Sequence, residues 1–218
     1  MRIRIVVVGI EHWHDLTLPF LDGLWEHNDR MLVDLVCVDN QSSEKYIPSQ
    51  HWGYQLARPS KRLGYGNALN FGARYVDDPE DYDYWDWLLC CNNDCTCEGS
   101  VTEIISKLST DTVYGNDWKL DYDGMRDGLP AVVDSAFFLI PRRIWDTIGG
   151  FDPIMDAAFE EVDYCIRAIN AGFRIDVAPL PITHLNMHTR RELKDYNERW
   201  EITRKYFRAK HPSRKEHE

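Results

Sequence analysis

Ile3 to Gly9, Leu32 to Val38 and Trp87 to Cys91 are short, continuous apolar runs. Runs of that length without polar alternation predict strands covered on both faces, as in a parallel sheet. Between them, Leu16 to His27, Tyr65 to Val76 and Val101 to Leu108 carry apolar residues at helical spacing, the first with Asp15 placed to cap it. Val113 and Tyr114 start a further strand, and Val132 to Ile140 predicts another, followed by a short helix from Pro141. Glu160 to Ala171 predicts a helix stopped by Gly172. Ile175 to Val177 and Ile182 to His184 are short extended pieces, and Glu192 to Arg208 is a last helix. From Gly115 to Pro130 the chain is polar, acidic and glycine-containing, which predicts a mobile loop of the kind that carries function.

Strands alternating with helices predict a single α/β domain: an open, mostly parallel central sheet flanked by helices, without linker or repeat. The 218 residues suffice for one well-buried domain. In such sheets ligands bind beyond the carboxyl ends of the strands. That rule selects the loops after Gly9, after Val38 and after Cys91.

Composition narrows the class. Hydrophobic residues at 44% and charged residues at 28% are ordinary for a globular protein. The net charge of −11 argues against a general nucleic-acid binder, which needs a basic face for phosphate contacts. The charge is uneven: roughly +4 from Thr189 onward leaves about −15 for the rest. No run of about 18 apolar residues predicts a membrane span. The N-terminal apolar stretch is too short for a signal peptide and lacks a small-residue cleavage site. Four of the six cysteines crowd between Cys90 and Cys97 without paired C-x-x-C spacing. They read as reduced, buried thiols of a cytoplasmic protein, neither a disulfide framework nor a zinc site. The eight tryptophans serve mainly the core, with stacking on a flat ligand as the sharper option.

Four clusters could carry chemistry. Asn92-Asn93-Asp94 closes a buried strand, where one carboxylate open to a pocket can supply an oxygen ligand to a hard divalent cation. The plainer reading of Asp94 is a turn residue. Two other D-x-D strings, Asp81-Tyr82-Asp83 and Asp121-Tyr122-Asp123, follow no buried strand and read as solvated acidic loops. In LGYGNALNFG, Gly64 and Gly66 allow close backbone approach to a ligand. The segment lacks the preceding strand and third glycine of a dinucleotide fingerprint, and a turn before a helix is the plainer reading. Glu160, Glu161 and Asp163 sit in one first turn, where the helix dipole favours each acid by up to roughly 1 kcal/mol. Asp163 and Arg167 are spaced to pair, and one of the glutamates could serve as an ionised general base. His184, or His188 four residues on, could complete a metal site, although a lone histidine is more often structural.

The ordered series VDNQSS, RLGYGNALNFG, WLLCCNND, GGFDP, FEEVDYCIRAINAGF and PITHL resembles family 2 glycosyltransferases of the GT-A fold, closest to the rhamnosyltransferase-like branch. The match runs from about Ile3 to His184. It implies a GT-A domain over residues 1–188, with residues 189–218 a C-terminal helix and tail packed on it or extending from it. It also implies transfer of a sugar from a nucleotide-diphosphate donor of UDP or dTDP type, with Mn²⁺ or Mg²⁺ as cofactor. The acceptor would be a hydroxyl of a glycan, a protein or another compound, nucleic acid included.

Residue by residue, the resemblance implies that Gly9, Ile10 and Glu11 line the nucleotide pocket and that Asp39 contacts the donor base. Gly64, Asn67 and Asn70 match the segment beside the nucleotide. Asn92, Asn93 and Asp94 match the D-x-D-type motif, with Asp94 as metal ligand and asparagine in place of the first acid. Glu160 and Glu161 match a Glu-Asp pair whose second member is the catalytic base. Glu161 is then the base, a glutamate where aspartate is usual, with Glu160 in reserve. His184 joins the metal or diphosphate, and His188 could substitute. The implied mechanism is direct displacement with inversion, the 115–130 loop closing over donor or acceptor. Two alternatives share the architecture: an inactive nucleotide-sugar-binding relative, and a nucleotidyltransferase. The second usually has a glycine-rich basic loop where this chain has the acidic, aromatic Ile10-Glu11-His12-Trp13-His14. A structural or interaction module is the third.

Overall fold

A computed structural model describes residues 1–44, 46, 53–75, 85–119, 130–134, 136–155, 157–186 and 196–212. In chain order the elements are β1 (Ile3–Gly9), a π-helical turn (Trp13–Thr17) running into α1 (Leu18–His27), β2 (Val33–Asp39), β3 (Gln55–Ala57) and α2 (Tyr65–Ala73). Then come β4 (Trp87–Asn92), β5 (Cys95–Cys97), α3 (Val101–Ile105), β6 (Thr112–Gly115), β7 (Trp118–Lys119), β8 (Val132–Val133), β9 (Phe137–Pro141) and α4 (Arg142–Ile148). The chain continues through α5 (Glu160–Asn170), β10 (Arg174–Val177), β11 (Ile182–His184) and α6 (Tyr196–Lys210).

Seven strands form the central sheet in the order β10-β6-β9-β4-β1-β2-β3. All neighbours pair in parallel except β9, which runs antiparallel to both β4 and β6. The expected open, mostly parallel sheet is therefore present. Two short antiparallel ribbons, β11 with β5 and β7 with β8, stand outside it.

The continuous apolar runs have a simple cause. Alternate residues of a strand face opposite sides of the sheet, and both sides are covered. Val6, Val8, Val36, Leu88 and Cys90 pack in one core with residues of α2, α4 and α5. Ile5, Val7, Leu35, Leu89 and Cys91 pack in the other with residues of α1 and α3. Phe207 of α6 belongs to the first core. All six cysteines are buried free thiols. Among the described residues no helix is long and apolar enough to cross a membrane.

Three details differ from the sequence reading. The run Val132 to Ile140 is not one strand: Val132 and Val133 pair with Lys119 and Trp118, while Phe137 onward joins the main sheet. Both halves are buried, so hydropathy alone does not mark the break. Asp15 does not cap α1; it lies inside the π-helical turn, and the helix starts at Leu18 with Thr17 before it. The extra turn frees the Thr17 hydroxyl for two other partners, described below. Three strands, β3, β5 and β7, carry no signal of their own, being two or three residues long.

α2 lies very close to the sheet. A Cβ placed on Gly72 would come 2.5 Å from Val6 and 2.8 Å from Val38. Only a glycine at that position lets the helix axis approach β1 and β2 so closely. At the other end of α2, a Cβ on Gly66 would sit 3.2 Å from Cβ of Glu160. The first turn of α2 thus abuts the first turn of α5.

Candidate active site at the carboxyl edge of the sheet

The register aligns Gly9 with Asp39 and Val8 with Asn92, so β1, β2 and β4 end side by side. Two of the three loops selected from sequence, those after β1 and β2, are tied to each other. Glu11, His12 and Gln41 have left-handed backbones, with φ of 54°, 55° and 64°. Such residues cost on the order of 1 kcal/mol each and persist where the surroundings hold them. Here the holding groups are identifiable. The Glu11 amide donates to Ser42 Oγ at 2.9 Å, and the Glu11 carboxylate accepts from the Ser43 amide and hydroxyl, both at 2.7 Å. Burial pushes the Glu11 pKa up, but the Ser43 bonds outweigh it and the net shift is downward. The Tyr46 hydroxyl donates to the Glu11 carbonyl, and its ring lies 4.5 Å from that of Trp13. A Cβ on Gly9 would come 2.6 Å from the same hydroxyl, which explains glycine there. Ile10, between Gly9 and Glu11, is half-buried.

Asp39 is 1% exposed. One oxygen accepts from the Ser42 amide at 2.9 Å; the other accepts from the Tyr46 amide at 3.2 Å and from the Arg58 guanidinium. Arg58 also donates to the Ser42 carbonyl at 3.0 Å. Both Asp39 oxygens are thus engaged inside the protein, where they shape the loop. Arg58 follows β3, a strand too short to see in sequence, and no local pattern marks it. Next along, the Asn40 side chain exchanges two hydrogen bonds with Leu63, each 2.9 Å, fixing the approach to Gly64. Gly64 precedes α2 in extended conformation.

Asn67 and Asn70 point to a different segment. The Asn70 amide group clamps Phe151, donating to its carbonyl at 2.8 Å and accepting from its N–H at 2.9 Å. Asn67 donates to the Pro153 carbonyl at 2.8 Å. Their amides join α2 to the chain leading into α5.

Beyond β4, Asn92, Asp94 and His184 come together. His184 Nε2 is 3.1 Å from Asp94 Oδ1 and 3.3 Å from Asn92 Nδ2. The β5–β11 ribbon enforces this, aligning His184 with Cys95, while the Leu185 amide donates to the Asp94 carbonyl at 2.8 Å. Asn93 turns away: it is buried and donates to Thr17 Oγ1 at 2.9 Å. Thr17 in turn donates to the Tyr46 hydroxyl at 3.2 Å, so the loops after β1, β2 and β4 share one buried network.

α5 carries the acids. Its preceding residue, Phe159, is left-handed with φ 66° and stacks on Phe207 of α6 with ring centroids 4.9 Å apart. Glu160 and Glu161 are both buried. Glu161 Oε1 accepts from Lys119 Nζ at 2.7 Å. The Glu161 charge holds the Lys119 pKa well above its ordinary value, against the opposing effect of burial. Asp163 is fully buried and pairs with Arg167 at 2.8 Å, as its spacing predicts, and also with Lys210 at 2.7 Å and His211 at 2.8 Å. Burial alone would raise its pKa, but these three partners hold it down at about 2. Lys119, Lys210 and His211 have no sequence signal, since each reaches its partner across the fold.

Several candidates fall outside the described residues: His188, both alternative D-x-D strings at 81–83 and 121–123, and residues 120–129 of the expected loop. Of that loop, residues 115–119 and 130 are described; Gly115 ends β6, and Trp118–Lys119 form β7.

Among the described residues no group of three or more His, Cys, Asp or Glu side chains could hold a metal by itself. Asp94 and His184 offer one hard oxygen and one imidazole nitrogen, with the Asn92 amide beside them. That donor set suits an ion of Mn²⁺ or Mg²⁺ type that keeps waters or ligand oxygens in its remaining positions.

No protein-family model and no curated protein matches this sequence. Solved structures do match in fold. The mannosyltransferase PcManGT from Pyrobaculum calidifontis, in complex with GDP-Man and Mn²⁺, superposes with a TM-score of 0.61 at 16% identity, over 81% of this chain and 56% of that one. GalNAc-T7 with UDP, GalNAc and Mn²⁺ gives 0.67 at 12% identity, over 84% and 44%. TarS of S. aureus gives 0.57 at 12% identity, over 81% and 35%. This chain therefore spans only about a third to a little over half the length of these neighbours. At such identities the likeness establishes the fold alone: the central sheet and its flanking helices match the GT-A fold of these neighbours.

Proposed function

We propose that this chain is a glycosyltransferase that moves a sugar from a nucleotide-diphosphate donor to an acceptor hydroxyl, by metal-assisted displacement with inversion. The observation that carries the reading is the Asp94–His184 pair with Asn92, assembled from positions 90 apart at the carboxyl end of β4. The buried pair Glu160–Glu161 at the start of α5 is the second half of the site. The resemblance to family 2 enzymes, drawn from sequence, supports the same assignment of roles.

Asp94 and His184 are the residues that would hold Mn²⁺ or Mg²⁺. Bound there, a divalent ion offsets negative charge on the departing diphosphate. The chain's own groups do the rest. The strained, cross-tied loops after β1 and β2, with Glu11 and Gln41 left-handed, form a preorganised wall for the nucleotide. Asp39, Arg58 and Asn40 hold that wall in place. Glu161, paired with the Lys119 ammonium, accepts the acceptor's proton as its oxygen attacks the anomeric carbon from the face opposite the diphosphate. Attack from that face inverts the anomeric centre. Glu160 stands as the reserve for this role.

Among the fold neighbours, one holds GDP-Man and another UDP. The direct test is a panel of nucleotide sugars (UDP-, dTDP- and GDP-linked) incubated with the chain and Mn²⁺ or Mg²⁺, with released nucleotide and transferred sugar both measured. Turnover that needs metal and disappears in Glu161→Gln supports the reading. Binding without turnover identifies a nucleotide-sugar-binding relative instead, and turnover indifferent to Glu161→Gln overturns the assignment of the base.

A further inference from the structure

Three carboxylates, Glu160, Glu161 and Asp163, are buried within one turn of α5. Taking such groups out of water disfavours their charged form, and each neighbouring negative charge adds to the penalty. The N-terminal end of a helix returns up to ~1 kcal/mol per charge, which does not cover it. Cations must be supplied, and the structure supplies them separately. Arg167 and Lys210 pair with Asp163, with the His211 ring hydrogen-bonded beside them. Lys119 is brought to Glu161.

Lys119 comes from an element built apart from the main sheet. It lies on β7, aligned with Val132 of β8, and a chain of contacts anchors this ribbon. The Asp134 amide donates to the Asp117 carbonyl at 2.8 Å, and the Ala136 amide donates to Asn116 Oδ1 at 2.9 Å. The Ala136 carbonyl accepts from the Asn92 amide at 3.2 Å, so the ribbon is tied to the end of β4. Around the ammonium stand Glu161 Oε1 at 2.7 Å, Asp134 Oδ1 at 3.8 Å and the charge of Glu160; the Cys165 thiol, one turn further along α5, also faces the pair. A lysine contacts one carboxylate oxygen as a point charge, where an arginine would tend to grip both.

We infer that Lys119 is the positioning residue for Glu161: it fixes the carboxylate's orientation and keeps it ionised in a buried, acid-rich turn. The inference rests on the reading of Glu161 as the base. It makes the β7–β8 ribbon a working part of the site, linking Asn92 at one end to Glu161 at the other.

The test compares the full chain with Lys119→Met, Lys119→Arg and Glu161→Gln. Transfer is measured against pH with whichever donor turns over. Lys119→Met is expected to lower kcat by about tenfold or more near neutral pH while the donor KM changes little, and to move the acidic limb of the profile to higher pH. Lys119→Arg keeps the charge and should restore the position of that limb. A Lys119→Met profile that overlays the wild type, with Glu161→Gln inert, overturns the role of Lys119 alone. Full activity in Glu161→Gln overturns the base assignment beneath it. A second readout needs no turnover: carbon-13 NMR titration of the Glu161 carboxyl in wild type and in folded Lys119→Met. A midpoint that rises on loss of the ammonium supports the inference, and an unmoved midpoint overturns it.

Discussion

Asp94 and His184 touch across 90 positions of sequence. If the pair holds the metal, Asp94→Asn should weaken Mn²⁺ binding and lower metal-dependent transfer by roughly a hundredfold. Titrating Mn²⁺ against activity and against thermal stability checks both halves. Wild-type affinity in the variant would move the metal elsewhere. Arg58 gives a contrasting case. Its guanidinium is part-exposed, while its partner Asp39 is 1% exposed. Arg58→Ala leaves a buried carboxylate with amide donors only. After discounting for solvent at the arginine, the cost should be about 1–3 kcal/mol, read as a fall in the denaturant midpoint. If the Ser42 loop walls the nucleotide as proposed, nucleotide affinity should fall with it, because the same arginine holds that loop.

At the scale of elements, α2 is the piece whose placement depends most on a single position. Gly72→Ala puts a methyl against Val6 and Val38 and should cost about 1–3 kcal/mol through overpacking, measured by chemical denaturation. An unchanged midpoint would mean that α2 can lift away from the sheet at no cost. The elements also show where sequence reading stops. β1, β2 and β4 are legible because burial on both faces forces continuous apolar runs. β3, β5 and β7 are not legible, because two or three residues become strands only through the partner beside them. The reversal of β9 has the same origin: direction is set by neighbours, not by composition. The candidate site divides in the same way. Its acids stand out as local clusters, whereas Lys119, Arg58, Lys210 and His211 are ordinary surface-type residues until the fold delivers them. Asn67 and Asn70 illustrate the converse, a legible segment whose amides bond Pro153 and Phe151.

Over the whole molecule, α6 is bound to the body by aromatic contacts, the Phe159–Phe207 stack among them, and by polar contacts to Asp152 and Asp163. The second makes stability depend on acidity. The folded-state pKa of Asp163 is about 2, below its ordinary 3.8, so its contribution is complete above about pH 4 and is lost as pH falls toward 2. The shift corresponds to about 2 kcal/mol. Asp163→Asn should therefore flatten the pH dependence of stability between pH 4 and 2, with the largest loss of stability near neutrality. Truncation before Lys210 should raise the pH of acid unfolding by removing two of the three partners of Asp163. Unfolding curves followed by circular dichroism across that range decide both.

The docking of α6 also sets an order of events during synthesis. Phe207 completes the core beneath Phe159, and Lys210 and His211 bond Asp163 in the very turn that carries Glu160 and Glu161. On the ribosome, that turn is made some fifty residues before its last counter-charges. Until residues 207–211 have emerged, Asp163 lacks two of its three partners and Phe159 lacks the ring it stacks on. The nascent chain can thus bring its strands together early, but Asp163 gains its full set of partners only once Lys210 and His211 have followed.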